Sequence, residues 1–206
     1  MWLRKICLDE QCLLAEVKKD HAGAEEAYRT ATRLDPKYAT AHNNLGLLLQ
    51  YERNDVDGAK IAYRAAIAAD PNFAAGHHAL GWLLHRERKD LDNAQSAYVN
   101  AIACAGTSHP NRDCALTNVC LACLLGERGD VAGAESACRR AIIADPKCAL
   151  AHMCLGLLLE EEHNDVDGAE SAHRDATEAD PKCAEAHHSL GMLLERERWD
   201  VDGAAS

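Results

Sequence analysis

Eleven histidines and ten cysteines in 206 residues are the side chains here best suited to chemistry, as metal ligands, acid–base groups or nucleophiles. Four of the histidines, His42, His77, His152 and His187, recur at equivalent places in the chain. On stacked helices such places lie on the order of 10 Å apart, whereas zinc holds each ligand about 2 Å away. They cannot share an ion, and they are expected to pack between helices instead. Cys120 and Cys123 form an i, i+3 pair, but no second Cys-x-x-Cys completes a tetrahedral site. Cys114, Cys148 and Cys183 each precede a helical stretch where earlier copies carry Tyr38 and Phe73, and Cys138 replaces Tyr63 and Tyr98. These read as small apolar fillers that stay reduced, so no metal and no cofactor is expected. Phosphate loops, nucleophile elbows and dinucleotide fingerprints do not occur, and runs such as Glu160-Glu161-Glu162 read as solvated surface. An enzyme is not expected.

The elements that carry these residues follow one repeating sentence. The five prolines, Pro36, Pro71, Pro110, Pro146 and Pro181, are spaced by 35, 39, 36 and 35 residues, and four of them follow Asp. Between them runs Ala-x-Ala-His-x-x-Leu-Gly-x-Leu-Leu, a charged turn ending in Asp, then Gly-Ala and a second helical stretch. Ala41, Leu45, Leu48 and Leu49 form one helical stripe, and Val56, Ala59, Tyr63, Ala66 and Ile67 form another. Asp55 is placed to cap the second helix, and Pro71 ends it. Two helices per period of about 35 residues mark an α-solenoid. Composition agrees: 38 alanines against seven valines and six isoleucines favour closely packed helices over strands. Gly46 in mid-stripe lets its helix approach the next one closely.

The residues that fill this pattern are His42, Leu45, Gly46, Leu49, Asp55, Ala59, Tyr63, Ala66 and Pro71, with matching sets in the later copies. In this the chain resembles the tetratricopeptide repeat family. The resemblance implies an all-α, right-handed α-solenoid, a superhelix of tandem helix-turn-helix units, forming one solenoid over residues 1–206. Its repeats are 1–36 (degenerate), 37–71, 72–110 with an insertion near 105–111, 111–146, 147–181 and an incomplete 182–206. Most copies carry one extra residue in the inter-helix turn, a variation shared with Sel1-like repeats; Ala122 to Asp130 keeps the usual spacing. In the last repeat the first helix is expected over Cys183 to Arg198, with Ser206 a few residues into the second. Leu190, Leu193 and Leu194 are then expected to lack a cover, as in a fragment or at an end that meets another molecule.

The resemblance also implies a concave groove lined by the first helices. Carried onto this sequence, the partner-binding residues are Asn43, Leu47 and Gln50, then His78, Trp82 and His85. Val119 and Cys123 follow, then Met153, Leu157 and Glu160, and finally His188, Met192 and Glu195. Trp82 is expected to point away from the intra-repeat core as an aromatic anchor. The groove lacks the Lys and Arg of a carboxylate clamp and the Asn ladder of glycosyltransferase-type members. The implied function is a scaffold that binds a protein or peptide partner. Alternatives are self-assembly into a homo-oligomer through the C-terminal end, or the regulatory arm of a larger enzyme. A net charge of −11 disfavours nucleic acid and anionic membranes. No run reaches the roughly 18 apolar residues of a membrane span, and no signal peptide is read at Met1. The expected location is the cytoplasm.

Overall fold

The computed structural model describes residues 21–87, 90–106 and 112–204. These form ten helices and no strand, the all-α tandem-repeat class expected. Two compact units divide at residues 109 and 110, and each is described by itself.

The N-terminal unit holds α1 (His21–Leu34), α2 (Ala39–Tyr51), α3 (Val56–Ala69), α4 (Ala74–Glu87) and α5 (Leu91–Ala105). The C-terminal unit holds α6 (Arg112–Glu127), α7 (Val131–Ala144), α8 (Ala149–Glu161), α9 (Val166–Ala179) and α10 (Ala184–Ala204). In each unit a helix packs on the next in sequence, and first helices also touch one another: α2 on α4, α6 on α8, α8 on α10. The degenerate stretch Trp2 to Val17 and most of the insertion lie outside the described residues. Gly106, which opens the insertion, ends α5 in the left-handed region at φ 73°, where a residue without a β-carbon is favoured.

Within a helix pair the fit rests on one ring in one notch. A β-carbon at Gly46 would come within 2.5 Å of the Tyr63 ring, at Gly81 within 2.8 Å of Tyr98, and at Gly156 within 2.7 Å of His173. In the remaining full pair the notch residue is Ala122 and the ring is replaced by Cys138, both buried, so a methyl group added on one helix is offset by a smaller side chain on the other. Alanines on the second helices, Ala59, Ala94, Ala134 and Ala169, are fully buried at these contacts. The abundance of alanine therefore serves close helix approach, as the sequence implied.

Two turns alternate along the chain. At the Asp-Pro turns, Asp70, Asp145 and Asp180 are extended, the conformation a following proline imposes. There the carboxylates of Asp35, Asp70, Asp145 and Asp180 each accept the N–H two residues on at 3.0 Å. At the inter-helix turns, Asp55, Asp130 and Asp165 cap the next helix by accepting from Gly58, Gly133 and Gly168 at 2.9, 2.9 and 3.0 Å. A side chain at those glycines would collide with the capping carboxylate. Where Asn93 stands instead, the Asp90 bond lengthens to 3.3 Å and its φ moves to −154°.

The extra turn residue also has a defined place. Asp55 N–H reaches Leu49 O and Asp165 N–H reaches Leu159 O, each across one residue more than the bond from Asp130 N–H to Leu125 O. The residues before Asp55, Asp130 and Asp165 are left-handed: Asn54 and Asn164 at φ 52°, Gly129 at φ 77°, the residue types that tolerate it.

The last repeat departs from expectation. Instead of breaking before Asp200, α10 continues to Ala204 as one helix of 21 residues. Leu193, expected to be uncovered, is buried, while Leu194 is 37% exposed.

Candidate partner-binding faces

The first helices carry the candidate residues, and each unit presents its own set. In the N-terminal unit, Asn43 and Gln50 are buried. Gln50 Oε1 accepts the hydroxyl of Tyr63 at 2.6 Å, a core contact in which burial pushes the Tyr63 phenol pKa upward, while the buried Gln50 Nε2 has no hydrogen-bond partner among the described residues. Leu47, half-buried, packs against the cluster of Leu45, Leu49, Tyr63 and Leu83. On α4, His78 and His85 are half-buried and flank Tyr98, their rings 6.0 and 6.2 Å from it.

Trp82 requires a correction. Its side chain is 7% exposed, held between the Tyr51 ring at 5.7 Å and the Arg86 guanidinium at 5.3 Å. The indole joins two successive first helices and is not an open anchor; the tilted ring contact with Tyr51 and the cation–π contact with Arg86 hold it in place. Met153 is likewise buried, with Ala176 and Ala186, as are Val119 and Cys123.

The C-terminal unit offers the more open face. Leu157 and Glu160 on α8 are half-buried, and His188, Met192 and Glu195 on α10 are exposed. Met192 has 54% of its surface free. Glu160 accepts from Arg196 at 2.7 Å across the two helices, bordering the apolar strip with a paired charge.

The recurring histidines have a role that spacing could have revealed. Nε2 of His42, His77, His152 and His187 lies 3.1, 3.0, 3.0 and 3.1 Å from the carbonyl oxygens of Pro36, Pro71, Pro146 and Pro181. A carbonyl only accepts, so each imidazole donates from Nε2 and ties its helix to the preceding turn. In repeat 111–146 the proline is displaced, and Asn118 takes the position and donates to Cys114 O at 2.9 Å. All eight described cysteines are thiols, and burial raises the pKa values of Cys114 and Cys183. Cys120 and Cys123 are both buried. Among the described residues no group of three or more His, Cys, Asp or Glu is placed to hold a metal ion. No described helix is long and apolar enough to cross a membrane.

Comparison with known proteins adds the family. A TPR repeat model matches residues 18–50, and two tetratricopeptide repeat models match 39–73 and 121–181. No curated protein matches by sequence. Among solved structures, the chain is similar to PilF of Pseudomonas aeruginosa, at 21% identity and TM-score 0.70, over 91% of this chain and 90% of that one. It is also similar to MamA, at 22% identity and TM-score 0.66, over 81% and 92%. A third is YrrB, described as a TPR protein with an unusual peptide-binding site, at 21% identity and TM-score 0.64, over 84% and 85%. With its paired helices, its glycine notches and these matches, the chain belongs to the tetratricopeptide repeat family.

Proposed function

We propose that this protein is an interaction scaffold that holds an extended or helical segment of a partner protein along its first-helix faces. The observation that carries this reading is the strip on α8 and α10, where half-buried Leu157 and exposed Met192 lie beside the Glu160–Arg196 pair. Apolar area of this kind, rimmed by charge, suits a partner side chain better than water. Met192 adapts to irregular surfaces, and His188 and Glu195 add polar contacts at the rim. In the N-terminal unit, Leu47, His78 and His85 are the candidates that retain exposed surface, while Trp82, Asn43 and Gln50 support them from below. The peptide-binding site named for YrrB is in keeping with this use of the fold.

The test is selection of random peptides on the folded full-length chain. Enriched peptides should lose binding to a Met192→Glu variant and keep it for Ile61→Glu, an exposed position on the second helix α3. Failure to enrich any peptide, or binding indifferent to Met192, would overturn the reading.

A further inference from the structure

Arg86 on α4 and Arg196 on α10 occupy the same place in their repeats, each five residues after the glycine of a Leu-Gly pair. Arg196 donates to Glu160 of α8, the preceding first helix, at 2.7 Å. At the place of Glu160, on the first helix before Arg86, stands Gln50. This side chain carries no charge, its Oε1 is taken by the Tyr63 hydroxyl, and its buried Nε2 has no acceptor among the described residues. Arg86 thus lacks the carboxylate that its counterpart has. It is exposed, and among the described residues no carboxylate pairs with it.

We propose that Arg86 receives a glutamate or aspartate side chain of the partner, so that the first-helix face of the N-terminal unit selects acidic segments. The inference rests on the scaffold reading above and adds the chemistry of the segment held. Arg86 lies one position beyond His85, outside the groove positions that the family implies. Its guanidinium stands 5.3 Å from the centre of the Trp82 ring, and that indole is itself fixed, buried and 5.7 Å from the Tyr51 ring. The cation–π contact restrains the long side chain in advance, which lowers the entropy lost when a ligand fixes it. Its N–H donors remain for a carboxylate, which the guanidinium fork can bind through two bonds. Tyr51, 38% exposed, offers ring surface on the same indole for the stem of the incoming residue. The class of ligand is read from the C-terminal unit: where the preceding helix carries an acid the arginine is paired, and where it carries an amide donors exceed acceptors. The net charge of −11 opposes an acidic partner mainly at long range, where salt screens it beyond about 8 Å, whereas this pair forms in contact.

The test selects random peptides in parallel on the full-length chain and on its Arg86→Gln and Gln50→Glu variants. Both variants should keep the helical circular dichroism spectrum, since Arg86 is exposed and a carboxylate at position 50 can still accept the Tyr63 hydroxyl. Peptides selected on the unmodified chain should share an acidic position that those selected on either variant lack, because Gln50→Glu gives Arg86 the internal partner that Glu160 gives Arg196. In fluorescence anisotropy, replacing that acid by its amide should weaken a selected peptide about ten-fold on the unmodified chain and leave its binding to Arg86→Gln unchanged. Peptides that enrich without an acidic position, or whose acid counts equally for the unmodified chain and Arg86→Gln, overturn the inference and leave the scaffold reading standing. Enrichment of no peptide on the unmodified chain overturns both.

Discussion

The imidazole of His173 fills at Gly156 the notch that the phenols of Tyr63 and Tyr98 fill at Gly46 and Gly81. It does so fully buried, and neither ring nitrogen has a hydrogen-bond partner among the described residues. Burial lowers its pKa below the ordinary 6.5, so the folded chain keeps this ring neutral while the unfolded chain protonates it. Stability is therefore full above about pH 6.5 and falls as pH drops below it, by at most about 1.4 kcal/mol per pH unit from this group until its folded pKa is reached. His173→Tyr should flatten that dependence. It should also stabilise at neutral pH, since Glu160, at the position of Gln50, can accept the new hydroxyl. Urea titrations at pH 7.5 and 5.5 check both.

The notches predict opposite signs for one substitution. Gly46→Ala places a methyl against the Tyr63 ring and should destabilise by about 1–3 kcal/mol from overpacking, partly offset by helix propensity. Gly191→Ala enters open space and should stabilise by up to about 1 kcal/mol. Thermal melts followed by circular dichroism read the two directions.

Trp82→Ala should act on folding. Removing an indole packed between Tyr51 and Arg86 is expected to cost about 3 kcal/mol, which denaturant titration measures. Such a variant is therefore a poor probe of partner binding, and Met192 is the better one.

Asn54 is held at φ 52°. Asn54→Gly should be nearly neutral, while Asn54→Val should cost on the order of 1–2 kcal/mol. Equal melting temperatures for the two variants would contradict the left-handed turn.

Much of this architecture was legible because a solenoid repeats its own evidence. Proline period, Leu-Gly pairs and capping aspartates mark the helix boundaries of the regular repeats, since each is a local signal, but not the start of α6 at Arg112, ahead of Cys114, where the proline is displaced. The tie from histidine to proline was equally visible, as a fixed interval of six residues in four copies. Trp82 was not, because its burial depends on Tyr51 of the preceding repeat, and a helical stripe says which side a residue takes but not what its neighbour brings. Leu193 was misread for a similar reason: the preceding repeat covers it, whatever follows α10. The continuation of α10 through Asp200 was hidden because Asp200 and the Gly-Ala that follows it repeat the capping sequence of the earlier turns.

Amide hydrogen exchange of the full-length chain, with and without a peptide selected on it, locates the bound segment. The account predicts new protection at the first helices, centred on Leu157 of α8 and Met192 of α10, with the outward faces of α7 and α9 unchanged. Protection confined to those second helices, for instance around exposed Ile143, would contradict it.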